Sequence, residues 1–181
     1  MANIIGCRVS KARYFLTGGW SMSKEKVVKT NAMRMLDKMK IEYEVVTADI
    51  TSFVSGTEMA RLENVSPEES FKTLVMQGKS REYYVFVLPV GKEVDLKAAA
   101  ASVGEKSVEM IPVKDITKVT GYVRGGCSPL GMKKKFATRL AREAEAFEKI
   151  YVSAGKIGVS MHVRTEDLIR AVDAEYASFT A

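Results

Sequence analysis

Residues 83–90, Tyr-Tyr-Val-Phe-Val-Leu-Pro-Val, are the run that most narrows what this chain can fold into. The run is almost wholly apolar and β-favouring, which marks a central strand of a sheet. Strand-like and helix-like segments are interspersed around it. Residues 43–47 and 71–76 read as strands, and 150–152 lead through a glycine-bearing hairpin tip to a returning strand at 159–163. Residues 24–40 read as a helix in which Ala32, Met35, Leu36 and Met39 follow the i, i+3, i+4, i+7 stripe, with Ser23 as N-cap. A short helix is expected at 57–63. Ser66-Pro67-Glu68-Glu69 has the cap, first-position proline and capping-box carboxylate of a single helical turn. Asp95 caps an Ala-rich helix ending near Gly104, residues 114–120 form another stopped by Gly121, and 142–148 are helical in composition. Thr165 begins the last helix, with Glu166 and Asp167 at its N-terminus. The expectation is a mixed α+β domain.

A chain of 181 residues holds one substantial core and is too short for two ordinary domains. With 46% hydrophobic and 28% charged residues it is not a disordered protein, and its apolar runs fall far short of a membrane span. The formal charge of +6 suits a polyanionic partner such as RNA. Cys7 and Cys127 cannot build a disulfide framework, which fits a reducing, cytoplasmic setting. Two scattered cysteines and one histidine offer no spaced ligand set, so neither metal nor cofactor is expected. Arg8, Lys11 and Arg13 interrupt any signal-peptide core. Residues 1–21 are expected to be a poorly packed arm, vector-derived or read from an upstream start, ahead of one domain over 22–181.

The chemistry centres on residues 121–135, Gly-Tyr-Val-Arg-Gly-Gly-Cys-Ser-Pro-Leu-Gly-Met-Lys-Lys-Lys. Gly125-Gly126 permits dihedrals that a side chain forbids and lets backbone approach a ligand, while Ser128-Pro129 forces a turn. The alternative is a surface turn followed by a solvated lysine run. No Lys-Ser or Lys-Thr follows, so the stretch is not a P-loop, and it lacks the strand, helix and acidic residue of a dinucleotide fingerprint. A second glycine-bearing loop, Ser153-Ala154-Gly155-Lys156, reads either as a hairpin tip or as a pocket wall. Lys72, sharing a strand face with Leu74 and Met76, is either an edge charge guarding against aggregation or a cation in a pocket.

Three segments in this order resemble the YbaK/EbsC family of aminoacyl-tRNA deacylases, closest to its Cys-tRNA(Pro) deacylase branch. They are Phe71-Lys72-Thr73-Leu74, residues 121–131, and Tyr151-Val152-Ser153-Ala154-Gly155-Lys156, and the resemblance runs from about Lys29 to about Ala174. It implies a mixed, partly barrel-like sheet surrounded by helices, similar to the editing domain of prolyl-tRNA synthetase. It implies mischarged aminoacyl-tRNA as substrate and prolyl-tRNA synthetase as partner. It places Lys72 in the aminoacyl pocket, where it stabilises charge or orients the ester, with Gly155 or Gly126 as a backbone donor. Gly125, Gly126, Ser128, Ser153 and Ala154 would surround the substrate, and Lys156, Lys133, Lys134 and Lys135 would meet RNA phosphates. Ile157 departs from a frequent Arg of the family, and Ala141 and Ala137 from a frequent Asp and Pro. The expected reaction is substrate-assisted, the cysteinyl thiol attacking its own ester. Two rivals stand beside it: a Cys127 nucleophile with His162 as base, and a binding module without turnover.

Overall fold

A computed structural model describes residues 28–181 and the strand β1, Ser10–Tyr14. β1 pairs antiparallel with β2, Tyr43–Thr47. The rest of the expected N-terminal arm, and Ser23 with it, lies outside the described residues. Helix α1, Asn31–Lys38, is capped by Thr30, whose Oγ1 accepts the Met33 N–H at 3.2 Å. Ala32 and Leu36 of the predicted stripe are buried, Met35 is half-buried, and Met39 lies beyond the helix as its C-cap. Helix α2, Gly56–Leu62, starts at Ser55, whose Oγ accepts the Glu58 N–H at 3.2 Å.

The remaining strands are β3 (Phe71–Gly78), β4 (Tyr83–Pro89), β5 (Val108–Met110), β6 (Ala137–Ala141), β7 (Lys149–Lys156), β8 (Val159–Arg164) and β9 (Ala174–Ala177). They form two ladders, β1-β2-β8-β7 and β5-β3-β4-β6-β9, and not a closed barrel. β4 lies in the middle of the larger sheet, as its composition predicts. Its Val85 and Val87 join the main core between the sheets. Phe86 and Leu88, on the other face, meet a second cluster with Ala99, Ala100 and Phe179. Helix α3, Leu96–Ser102, supplies that outer cover, and Asp95 caps it through its Lys97 and Ala98 amides. Phe86 and Phe179 meet edge to face at 5.1 Å. Burying each such ring contributes about 2–3 kcal/mol.

Helix α4, Val113–Thr120, stops at Gly121 in the left-handed region, and α5, Thr165–Val172, closes the second half of the chain. Three local readings need correction. Residues 67–69 form bends rather than a helical turn, and Ser66 Oγ donates to the Glu68 carboxylate at 2.7 Å instead of capping a backbone amide. Residues 142–146 form a short 3-10 helix, squeezed between β6 and β7. Residues 153–156 are not a hairpin tip: β7 continues through them with a shifted register, Ser153 facing Ser160 and Lys156 facing Val159.

The two sheets meet where β3 begins. Ser70 bridges Tyr151, and the Tyr151 N–H donates to the Glu69 carbonyl at 2.8 Å. That junction brings the first residues of β3 beside the bulged end of β7.

Candidate active site

A cavity of about 800 Å3 opens at this junction. Its walls come from α2 and the loop before it, the start of β3, Tyr151 and Ser153 on β7, Ser160 on β8, and Arg124, Gly125 and Cys127 of the glycine-rich loop. Alternation along β3 sends Phe71 and Val75 into the main core and Lys72 to the opposite face. Lys72 Nζ donates to the Val90 carbonyl at 3.3 Å and lies 3.5 Å from Glu93. The Lys72 side chain is 23% exposed and the Glu93 side chain 86% exposed. A long ion pair to so exposed a carboxylate contributes little and holds the ammonium loosely. Lys72 is therefore a cation on the cavity wall, with a weak internal partner.

Gly125, Ser153 and Lys156 also line the cavity. Gly125 has φ +84, and a side chain there would meet the Phe53 ring at 2.9 Å. Phe53 in turn carries the Arg124 guanidinium 4.3 Å above its ring, and both belong to the cavity wall. Other predicted residues lie behind the wall. Gly126 keeps ordinary dihedrals, so the expectation of two adjacent special peptides is corrected. It is needed for close approach, because an added Cβ would stand 3.0 Å from the Ile157 amide nitrogen. Its N–H donates to the Val123 carbonyl at 3.0 Å. Ala154 and Ser128 are fully buried, and Ser128 Oγ accepts the Leu130 N–H at 3.3 Å. Gly155, at φ +90, lets the β7 bulge pass beneath Tyr122, and its N–H donates to Ser153 Oγ at 3.3 Å.

The lysine run is not part of the wall. Lys133 Nζ donates to the Thr117 carbonyl at the end of α4 at 3.1 Å, where the helix dipole favours a cation. Lys135 pairs with Asp173 at 3.0 Å, and Lys134 is exposed. Of the departures from the family pattern, Ile157 lines the cavity, Ala141 is buried in the Phe86 cluster, and Ala137 is exposed.

Cys127 borders the cavity, but burial pushes its thiol up to about 12, against a small opposing effect of the Thr120 hydroxyl. Such a thiol is overwhelmingly protonated at neutral pH and is a poor nucleophile. His162 lies flat on the Tyr151 ring at 4.0 Å, and burial lowers its basicity. No histidine appears in the cavity wall. Among the described residues, no group of three or more His, Cys, Asp or Glu is placed to hold a metal ion.

Glu63 went unnoticed in the sequence. It is 1% exposed, lines the cavity, and one carboxyl oxygen, Oε1, is buried without a hydrogen-bond partner. Burial pushes its carboxyl up to about 7, despite donation from the Ser160 hydroxyl and amide. The signal was legible: Gly56, Met59, Ala60 and Glu63 repeat at i, i+3, i+4, i+7, so an acid occupies the inward stripe of α2.

Residues 54–171 match the model of the aminoacyl-tRNA editing domain. The chain is 41% identical over 161 residues to an Enterococcus faecalis protein described as a candidate Cys-tRNA(Pro)/Cys-tRNA(Cys) deacylase, EbsC, covering 88% of this chain and 98% of that one. It is 21% identical to the multifunctional Ser/Thr-tRNA deacylase ProXp-y of Escherichia coli, covering 87% and 96%. A solved structure described as a candidate trans-editing enzyme for prolyl tRNA synthetase superposes with a TM-score of 0.71 at 18% identity, covering 89% of this chain and 99% of that one. With the family model spanning the cavity-bearing elements and a relative matched over nearly its whole length, this chain belongs to the aminoacyl-tRNA editing domain family.

Proposed function

We propose that this protein is a trans-editing deacylase that removes cysteine from mischarged Cys-tRNA(Pro), with Cys-tRNA(Cys) as a second substrate. The observation that carries the reading is a cavity of about 800 Å3 with Lys72 on its wall and, among the described residues, no activated nucleophile beside it. Its size suits an aminoacyl group and its terminal ribose. The 41% identity to the Enterococcus protein supports the choice of cysteine.

In this mechanism the substrate supplies the nucleophile. The cysteinyl thiol gives its proton to solvent water and attacks its own ester carbonyl, forming a C–S bond and a tetrahedral oxyanion. Lys72 stabilises that oxyanion. Collapse breaks the bond to the ribose oxygen, which takes up a proton as it leaves. The product is free tRNA and a four-membered cyclic thioester, which water opens to cysteine. Confinement of thiol and carbonyl in one pocket lowers the entropic barrier, against the strain of the small ring. The Gly126 and Gly155 N–H groups are already bonded within their own segments, to the Val123 carbonyl and Ser153 Oγ, so Lys72 provides the charge. Gly125 and Ser153 shape the wall, and Ser128 and Ala154 support it from behind. Lys156 and the exposed Lys134, with Lys133 and Lys135 beside it, meet tRNA phosphates as point charges. Such contacts read no sequence, so prolyl-tRNA synthetase, as the partner that binds tRNA(Pro), supplies tRNA identity.

The test is a deacylation panel of Cys-, Ser-, Ala- and Pro-charged tRNA(Pro), with and without prolyl-tRNA synthetase. The expected result is selective loss of the cysteinyl ester, enhanced by the synthetase. Binding of these tRNAs with no loss of any ester would instead identify a module without turnover.

A further inference from the structure

The cavity wall is mostly cationic where it is charged: Lys72, Arg124 and Lys156. Such a wall suits an ester oxyanion and phosphates, but it repels the ammonium group that every aminoacyl ester carries. Two acids line the same cavity. Glu93 is exposed and already lies beside Lys72. Glu63 is enclosed, and its Oε1 has no partner. A buried carboxyl oxygen left unpaired is costly and calls for a function. The hydroxyls nearby carry no charge to offset an ammonium: Ser70 Oγ donates to the Ser66 carbonyl and Ser153 Oγ accepts from the Gly155 N–H, each keeping a neutral lone pair.

We infer that Glu63 is the counter-group for the substrate's α-ammonium, a specificity-determining residue that makes the pocket select aminoacyl esters over acyl esters lacking the amine. This rests on the deacylase reading above. α2 positions the group: Gly56, Met59 and Ala60 set the inward face, and Ser160 of β8 shares the cavity wall with the carboxyl and favours its charged form. Thr73 Oγ1, also buried without a partner on this wall, is a second acceptor for the same ammonium. With burial raising its pKa to about 7, the carboxyl is only partly ionised at neutral pH in the empty cavity, and an arriving ammonium draws it to the charged form. The pair thereby places positive charge at the inner wall and leaves the ester carbonyl to Lys72.

The test uses two uncleavable ligands, 3′-amino-3′-deoxyadenosine acylated through its 3′-nitrogen with cysteine or with 3-mercaptopropionic acid. They share thiol, carbonyl and nucleoside and differ only in the α-amine. The wild-type protein should bind the cysteinyl amide about tenfold more tightly or better, the scale of one hydrogen bond to a charged group. Glu63→Gln should lose most of that preference, the charge being gone while neutral acceptors stay, and should bind the amine-free amide within about twofold of wild type. Equal wild-type affinities would overturn the inference, and that comparison needs no variant to fold. Equal weakening of both ligands by Glu63→Gln would overturn it as well, by reducing Glu63 to a structural role. Because the readout is binding, a protein that cleaves no tRNA ester would contradict the deacylase reading while the ammonium contact remained measurable.

Discussion

Replacing Glu63 by Gln should change how stability depends on pH, and the size of the change follows from the site. Burial holds the Glu63 carboxyl at about 7 in the folded chain, against an ordinary value of 4.5. Below pH 4.5 the group is neutral in both folded and unfolded states and carries no penalty. Between pH 4.5 and 7 the unfolded chain ionises it while the folded chain does not, so stability falls as pH rises. Above 7 the full penalty is present. At about 1.4 kcal/mol per pH unit across that window, it totals about 3 kcal/mol. Glu63→Gln removes the titration yet keeps an amide oxygen to accept from Ser160. Urea unfolding of both proteins from pH 4 to pH 8 should show the variant gaining about 3 kcal/mol on wild type, with the gain concentrated between 4.5 and 7. Carboxylates held low by neighbours, such as Glu105 beside Ser80 and Tyr84, are common to both and cancel in the difference. Two profiles that stay parallel would refute the claim that Glu63 is buried as described.

Lys72→Ala should lower single-turnover deacylation by about 100-fold, the scale of losing one charge-stabilising donor, with an unchanged melting curve because its pair to Glu93 is long and exposed. Cys127→Ser should retain activity within about threefold, and a folded but inactive variant would restore the cysteine-nucleophile mechanism. Gly155→Ala should destabilise by at least about 2 kcal/mol in chemical denaturation, since φ is +90 and the new Cβ would stand 2.6 Å from Tyr122 Cε1. An Ala variant as stable as wild type would mean the bulge relaxes without cost.

How far the sequence could be read depended on whether a feature is local. The central strand at 83–90, the Asp95 cap and the Gly121 stop are set by neighbouring residues, and each is present. Strands β5, β6 and β9 were missed because none has a β-favouring run. Ala137–Ala141 and Ala174–Ala177 become strands by lying parallel to partners distant in sequence. The Arg-Glu-Ala-Glu-Ala segment has helix-forming residues but too little chain between two strands for an α-helix. At the site, Lys72 stood out as a charge among apolar neighbours. Gly126 and Gly155 stood out too, but their close contacts, and the φ of +90 at Gly155, reveal packing of loop on loop, which spacing alone cannot distinguish from ligand contact. Glu63 belongs to no motif, and only its spacing from Gly56, Met59 and Ala60 sets it on the inward face of α2.

The central claim is that the substrate's own thiol performs the attack. Its most direct test is the single-turnover rate at saturating enzyme for cysteinyl, seryl and alanyl esters of the same tRNA(Pro). All three acyl groups fit a cavity of this size and carry the same ammonium. Attack by the substrate thiol predicts rapid loss of the cysteinyl ester and rates at least about 100-fold lower for the other two, which lack that intramolecular nucleophile. Equal rates for all three would contradict it and require an activated water.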